Sequence, residues 1–211
     1  MLMKIGLIGA ANSGKTKLAK NIAKELDFKI VDNYVPRLEK TTGLAYGIFA
    51  NFPQNFQILF ERITQEQKFA KDGFSTITCG TIYETSIYCA ILSSQISINP
   101  EDTQGFMIAR SAMNAIGLFQ AATEDYDILF YLPLSDKVKE EEGKSYNAVV
   151  DQKVSEITEG YGRYVITLNQ KTLKDRSDFA IQIIKEYQAS QNDEQTIRGS
   201  TGDDSQQSET I

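Results

Sequence analysis

The chain contains no histidine and no tryptophan among its 211 residues. Without an imidazole, a Ser-His-Asp or Cys-His nucleophile is excluded, so acid–base chemistry must depend on carboxylates. Cysteine is also scarce, since Cys79 and Cys89 are the only two and both stand in apolar surroundings. We expect them to be reduced core thiols rather than a disulfide or a zinc site.

Long hydrophobic runs are absent as well. No segment approaches the roughly 20 apolar residues that a membrane-spanning helix needs, and the N-terminus lacks the layout of a signal peptide. The net charge of −6 argues against a broad electrostatic grip on nucleic acid. We therefore expect a cytoplasmic protein, in the host cytoplasm if the chain is viral, with no membrane partner. Its oligomeric state is left open.

Residues 9–16 form the phosphate-binding pattern G-x-x-x-x-G-K-T. Its members are Gly9, Ala10, Ala11, Asn12, Ser13, Gly14, Lys15 and Thr16. A short apolar run precedes the pattern and helically spaced apolar residues follow it, so the context is strand, loop, helix. In such a loop the backbone N–H groups and the helix N-terminus hold a polyphosphate, Lys15 reaches the β- and γ-phosphates, and the Thr16 hydroxyl ligates Mg²⁺. The pattern predicts binding of a nucleoside triphosphate, expected to be ATP, together with Mg²⁺.

Five short apolar segments alternate with helical patterns along the chain. Strands are expected at residues 3–8, 28–32, 74–79, 126–132 and 164–168, and helices at 18–26, 54–70, 84–91, 103–122, 146–157 and 180–187. This alternation predicts an α/β fold, a three-layer α/β/α P-loop NTPase with a central parallel sheet of about five strands. Residues 1–188 are expected to form this one domain. The polar, acidic segment 189–211 is expected to be a disordered tail.

Two carboxylates stand where the chemistry of such a sheet is expected. Asp32 follows the second strand, at the edge where open α/β sheets bind ligands, and it is a candidate base and Mg²⁺ partner or else a helix cap. Glu84 follows the third strand and is a candidate base or metal partner, or a residue that complements a helix dipole. Arg37 is a candidate clamp for an acceptor phosphate or a surface ion-pair partner.

Other polar residues have blander expected roles. Arg62 and Arg110 lie in helical patterns and are expected at the surface. Four tyrosines could stack on a base, although packing is the expected role of each one: Tyr34, Tyr46, Tyr83 and Tyr88.

Along residues 3–187 the chain resembles the small P-loop kinases similar to nicotinamide riboside kinase domains, a group that includes phage nucleotide and base-modification kinases. The likeness is carried by the phosphate loop, the segment 32–37, the helix 52–68, the third strand with Tyr88 beyond it, the segment 130–133 and the turn Glu142-Gly143-Lys144. It implies transfer of the γ-phosphoryl group of ATP to a small nucleoside- or nucleotide-type acceptor. A phage deoxynucleotide or 5-hydroxymethyl-pyrimidine acceptor is favoured over nicotinamide riboside. DNA stays open as an acceptor, although the net charge does not favour it.

The resemblance also implies a lid around Lys144, and the charge of Lys144 or of Arg37 would offset the developing negative charge of phosphoryl transfer, while the loop and Lys15 hold the donor. The departures from the family concern the same chemistry. The third strand ends Thr78-Cys79-Gly80 where these kinases commonly carry an Asp that holds the Mg²⁺ hydration shell, and cysteine is a poor ligand for so hard a cation.

The family's Glu after the second strand falls at Asn33, and Lys144 stands where an arginine would offer a bidentate fork. Two readings follow: Asp32 and Glu84 hold the metal through water, or the protein is a nucleotide-binding regulatory module with little turnover. A regulatory GTPase is a third alternative. It would need D-x-x-G after the third strand and N-K-x-D near the fifth, where this chain has Cys79-Gly80 and residues 169–172 read Asn-Gln-Lys-Thr.

Overall fold

The computed structural model describes residues 2–31, 52–81, 83–84, 88, 126–135, 146–161 and 165–200, and the account below concerns these residues. They contain five strands: β1 (Lys4–Ile8), β2 (Lys29–Val31), β3 (Thr76–Cys79), β4 (Ile128–Tyr131) and β5 (Val165–Thr167). They also contain four helices: α1 (Lys15–Leu26), α2 (Phe52–Lys71), α3 (Tyr146–Tyr161) and α4 (Leu173–Ser200).

The strands form one sheet in which every pairing is parallel. Their order is β2-β3-β1-β4-β5, so the first strand of the chain is the central one. In the register Leu7 lies between Cys79 and Phe130. Because the strands are parallel, their carboxyl ends meet at one edge of the sheet, and the loops that follow β1, β3 and β4 leave from that edge.

Successive side chains of each strand point to opposite faces, and both faces are covered. On one face Leu7, Cys79 and Phe130 pack with residues of α1 and α4, such as Leu18 and Ile184. This arrangement places α1 and α4 in one layer.

The other face is covered by α2 and α3. Ile8 and Tyr131 pack there with Val154 of α3, and the Thr78 hydroxyl donates a hydrogen bond to Glu66 of α2. The sheet between two helical layers confirms the expected three-layer α/β/α architecture and the five-stranded parallel sheet.

The C-terminal helix differs from the expectation. We expected it to end near residue 187 and to be followed by a disordered tail, whereas α4 continues to Ser200. Local contacts accompany the extension, since the Ser190 hydroxyl donates to the carbonyl of Tyr187 and Gln182 donates to Glu186. Gln and Glu are good helix formers even where they bury no apolar surface. Residues 201–211 lie outside the described residues, and the domain limit at 188 stays a prediction.

The inner face of α2 also differs from the expected one. Ile63 is buried as the apolar spacing predicts, but Phe60 is 50% exposed and Ala70 is exposed too. Polar side chains take the buried positions instead. Those of Asn55, Arg62 and Glu66 are buried together with Ile58, at intervals of three or four residues. The helix expected at residues 103–122 lies outside the described residues.

Candidate functional site

The phosphate loop lies between the central strand β1 and the helix α1, at the carboxyl edge of the sheet. Gly9 passes so close to the end of β4 that a Cβ atom on it would lie 2.4 Å from the carbonyl oxygen of Leu132. The loop then turns, with the Ser13 N–H donating to the carbonyl of Ala10 at 3.3 Å and Asn12 in the left-handed region. Close backbone approach thus requires glycine at position 9, whereas Gly14 has open space around its missing Cβ and a positive φ of +99°.

Helix α1 begins at the end of this loop, with Gly14 as its N-cap residue. Its first hydrogen bond runs from the N–H of Leu18 to the carbonyl of Gly14 at 3.1 Å, so the N–H groups before Leu18 are not used within the helix. The first turn contains no acidic residue, and Thr16 is exposed there. A helix N-terminus of this kind favours an anion.

Lys15 folds back onto the loop that carries it. Its ammonium group donates to the carbonyl oxygens of Gly9 and Ala10, the second at 2.8 Å, and forms an ion pair with Glu84 Oε1 at 2.9 Å. An ammonium group has three protons to donate. All three are therefore matched by acceptors in this arrangement, and a polyphosphate must displace at least one of them to reach Lys15.

Glu84 brings a carboxylate into the loop from the chain after β3. Its side chain is 4% exposed, and its Oε1 accepts a second hydrogen bond, of 3.1 Å, from the backbone N–H of Gly9. The strand end itself provides the buried thiol of Cys79 and Gly80, and neither offers a carboxylate. The carboxylate that β3 lacks is thus supplied at the loop by a residue a few positions further along the chain.

Two buried hydroxyl groups close to the loop have no hydrogen-bond partner among the described residues. Ser13 Oγ lies over Gly9, 2.9 Å from where a Cβ atom on that residue would be, and Thr81 Oγ1 lies beyond the end of β3. Buried polar atoms in proteins are nearly always hydrogen-bonded. The Ser13 hydroxyl is a ready donor to a phosphate oxygen held in the loop.

A third element, the start of α4, holds the loop from the side. Arg176 donates from Nη1 to the carbonyl of Ser13 at 3.2 Å and from Nε to the carbonyl of Gln170 at 2.7 Å. Partial burial lowers the pKa of the Arg176 guanidinium. Through its two hydrogen bonds, the guanidinium links the phosphate loop to the segment after β5.

The structure brings part of the predicted site together. The loop residues 9–16 and Glu84 form one cluster at the carboxyl edge of the sheet. The other candidates, Asp32, Arg37 and Lys144, lie outside the described residues, and their roles stay predictions. Within the described ranges no three His, Cys, Asp or Glu residues form a metal-binding group.

The expectation that Arg62 lies at the surface is wrong. Its side chain is 1% exposed, and Nη1 donates to the carbonyl of Thr81 at 3.4 Å. Burying a guanidinium is unfavourable unless polar groups compensate it. The spacing of apolar residues along a helix does not reveal such partners. The usable signal was its spacing of four residues from Ile58 on the inner face of α2.

Sequence reasoning also missed a buried network around Glu66. This carboxylate accepts hydrogen bonds from Thr78 Oγ1 at 2.6 Å and from the Tyr126 hydroxyl at 2.9 Å, and it pairs with Lys4 Nζ at 2.6 Å. Burial, reinforced by the negative charge of Glu66, raises the pKa of Tyr126 well above its usual value. The network joins α2 to the sheet below the phosphate loop.

Comparisons with known proteins support this geometry at the level of the fold. No protein-family model and no curated protein matches the chain. Among solved structures, the NadR protein in complex with NR matches with a TM-score of 0.66 at 13% identity, over 88% of this chain and 50% of that one. Deoxyadenosine kinase from M. mycoides with bound dATP matches with a TM-score of 0.60 at 18% identity, over 87% of this chain and 100% of that one.

The chain shares its fold with these solved structures. A second NadR structure, in complex with NAD and AMP-PNP, agrees with a TM-score of 0.59 at 15% identity. This chain spans about half the length of the NadR protein. The resemblance inferred from the sequence is thereby confirmed for the architecture. In the parts of the chain that the structure describes, no helix combines the length and apolar character of a membrane span.

Proposed function

We propose that the protein is a kinase that transfers the γ-phosphoryl group of ATP to a small nucleoside- or nucleotide-type acceptor. The observation that carries the proposal is the carboxylate of Glu84 within the phosphate loop, in contact with Lys15 and the N–H of Gly9. A loop that only held phosphate would not need a buried carboxylate beside its lysine. The likeness in fold to a deoxyadenosine kinase and to the NadR protein agrees with this reading.

The chain's own residues can bind and orient the donor. The loop N–H groups, the start of α1 and the Ser13 hydroxyl receive the phosphates, and Lys15 turns from its loop carbonyls toward the β- and γ-phosphates. Unlike Lys15, the loop N–H groups are held in place by the fold before the nucleotide binds, so they stabilise charge without reorganisation of their own.

Mg²⁺ is proposed to bind beside the loop through the Thr16 hydroxyl, which is exposed on the first turn of α1 and is an oxygen ligand of the kind this hard cation prefers, with Asp32 as its further partner. Bound there, the ion would neutralise charge on the phosphate oxygens.

Transfer needs a group that receives the acceptor's proton. The acceptor hydroxyl forms a bond to the γ-phosphorus, the bond from that phosphorus to the β-phosphate bridging oxygen breaks, and ADP leaves. We propose Asp32 as the group that orients or deprotonates the acceptor, with Glu84 as the competing candidate. Arg37 and Lys144 are proposed to offset the developing charge. These assignments rest on the sequence resemblance.

The acceptor is proposed to be a deoxynucleotide or a 5-hydroxymethyl-pyrimidine nucleotide, with nicotinamide riboside as the alternative. ATP consumption should be measured with each of these and with a DNA oligonucleotide, alongside an assay for product phosphorylation. Turnover with one small acceptor is expected. Nucleotide binding without turnover on any acceptor would instead support a regulatory module, the reading that the missing β3 carboxylate favours.

The carboxylate roles are separated by two variants and a control. Asp32→Asn is expected to lower kcat by about 100-fold with little change in ATP affinity, in line with the contribution of a positioned acid–base group. Glu84→Gln tests the competing assignment, and Glu25→Gln, exposed at the far end of α1, is the control for a lost surface charge. Loss of activity in Glu84→Gln with normal activity in Asp32→Asn would move the base to Glu84. Normal activity in both would contradict a carboxylate mechanism.

A further inference from the structure

Arg62 is a buried cation for which the proposed reaction has no use. It lies on the inner face of α2, and the one hydrogen bond described above reaches the carbonyl of Thr81, beyond the end of β3. This position brings a guanidinium from a neighbouring helix to the strand end from which the phosphate loop receives its carboxylate.

Gly80 separates Arg62 from Glu84. It lies between β3 and Thr81 and adopts a φ of +74°. A Cβ atom on Gly80 would lie 2.5 Å from Glu84 Oε2 and 2.8 Å from Arg62 Nη2. The carboxylate and the guanidinium therefore converge on the same α-carbon, and any side chain at this position would push into both. The backbone angle favours glycine here, and any side chain would displace the ends of the two charged groups.

The two oxygens of Glu84 thus face different cations. Oε1 contacts Lys15 and the N–H of Gly9, whereas Oε2 lies on the side of Gly80 occupied by Arg62. Lys15 is a temporary partner, because a bound triphosphate must draw its ammonium away from some of its present acceptors. A carboxylate that is 4% exposed loses much of its compensation when such a partner leaves.

We propose that Arg62 is a positioning residue that compensates Glu84 across Gly80 while Lys15 turns to the nucleotide. This inference rests on the proposed binding of a triphosphate in the loop. With Arg62 present, Glu84 gives up Lys15 at a small cost and keeps its place at the loop. Without Arg62, Glu84 has Lys15 as its main cation and retains it, so the triphosphate must compete for the ammonium.

The test is a double-mutant cycle read out by the affinity for Mg²⁺·AMP-PNP in titration calorimetry, a measurement that needs no acceptor and no turnover. Arg62→Gln is expected to weaken binding by about 10-fold, and Arg62→Lys, which keeps the charge, by about 3-fold, in the range of couplings between contacting residues. In a Glu84→Gln background both effects are expected to disappear, because Lys15 no longer has to be released.

A merely structural role for Arg62 predicts a different result. Arg62→Gln would then lower the melting temperature and weaken nucleotide binding equally in the two backgrounds, and this outcome overturns the proposal. Should Arg62→Gln fail to fold, the comparison moves to Gly80→Ala, whose new methyl group pushes the guanidinium and the carboxylate apart. Gly73→Ala is the matched control, because Gly73 also has a positive φ, of +79°, but nothing lies within 4 Å of its missing Cβ.

In the protein that keeps Glu84, Gly80→Ala is expected to weaken AMP-PNP binding by about 10-fold. Gly73→Ala is expected to leave it unchanged. Equal affinities in these two variants overturn the proposal. The outcomes remain distinct from those of the proposed function: a protein that binds AMP-PNP with the expected coupling but phosphorylates no acceptor contradicts the kinase and supports the role of Arg62. A wild-type protein that binds no triphosphate contradicts both.

Discussion

Arg176 Nη1 donates a hydrogen bond of 3.2 Å to the carbonyl oxygen of Ser13, so the C-terminal helix holds the phosphate loop directly. The same guanidinium binds the carbonyl of Gln170 after β5. Two segments far apart in the sequence are thus fixed relative to each other by one side chain. The phosphate loop is therefore not an autonomous turn between β1 and α1.

Arg176→Gln is expected to weaken ATP binding by about 3- to 10-fold, since the loss of a charged hydrogen bond to the loop carbonyl costs about 1 kcal/mol. Titration calorimetry with ATP measures the effect. Lys174→Gln, an exposed change on the first turn of the same helix, is the control and is expected to have no effect. An affinity for ATP that Arg176→Gln leaves intact would show that the loop needs no anchor from α4.

Lys15→Met is expected to abolish turnover and also to destabilise the fold. Its side chain and that of Glu84 are 11% and 4% exposed, and the loss is expected to be smaller than the ~3 kcal/mol of a buried pair that has a single cation, because Arg62 still lies beside Glu84. Denaturant unfolding measures the loss. Adding Glu84→Gln to Lys15→Met is expected to recover most of the stability and none of the turnover. Lys17→Met, exposed on α1, controls for the lost charge.

Tyr126→Phe tests the buried network around Glu66 through its dependence on pH. Burial raises the pKa of Tyr126 above its usual value of 10.0, so the folded state binds the phenolic proton more tightly than the unfolded state does. Its contribution to stability is complete below about pH 10 and decreases as the pH rises from there toward the pKa in the folded state. The wild type is expected to melt at a higher temperature than Tyr126→Phe at pH 8.

The difference in melting temperature between these two proteins is expected to shrink as the pH passes 10. Tyr187→Phe serves as the reference, because Tyr187 lies on α4 and is only partly buried. A difference that stays constant from pH 8 to pH 11 would show that the Tyr126 hydroxyl does not titrate as the burial indicates.

Truncation after residue 192 is expected to change the melting temperature by less than about 2 °C, because Ile184 is the last fully buried core residue among the described side chains of α4. Truncation after residue 182 removes that residue and is expected to unfold the protein at room temperature or to lower its melting temperature by more than about 10 °C. Differential scanning calorimetry compares the two. A large decrease in melting temperature on truncation after residue 192 would indicate that the end of α4 packs against another part of the protein.

The parts of the fold that follow from local sequence were predictable. The phosphate loop is identified by its pattern, and the sheet by the alternation of short apolar segments with helical ones. Each strand is one to three residues shorter than its apolar run, as with β4, which spans Ile128–Tyr131 within residues 126–132. Residues on either side of a strand can be buried in the core without being part of the strand, as Tyr126 and Leu132 are on either side of β4.

The charged part of the site was less accessible to sequence reasoning. Glu84 was a candidate, but its contact with Lys15 depends on how the chain after β3 turns back to the loop. Arg62 was assigned to the surface because polar residues were assumed to mark the outer face of α2. Its compensation comes from backbone and side chains that are distant in sequence, so no periodicity within the helix could reveal it.

The central position of β1 has a consequence for how the protein is made. Ile5 pairs with both Ile77 and Ile128, so β1 must wait for partners from two later parts of the chain. The supports of the phosphate loop, such as the Leu132 carbonyl and Arg176, are synthesised later still. The nucleotide that we propose for this loop would therefore bind with full affinity only after these late supports have been translated, and it would stabilise the finished fold rather than its precursors.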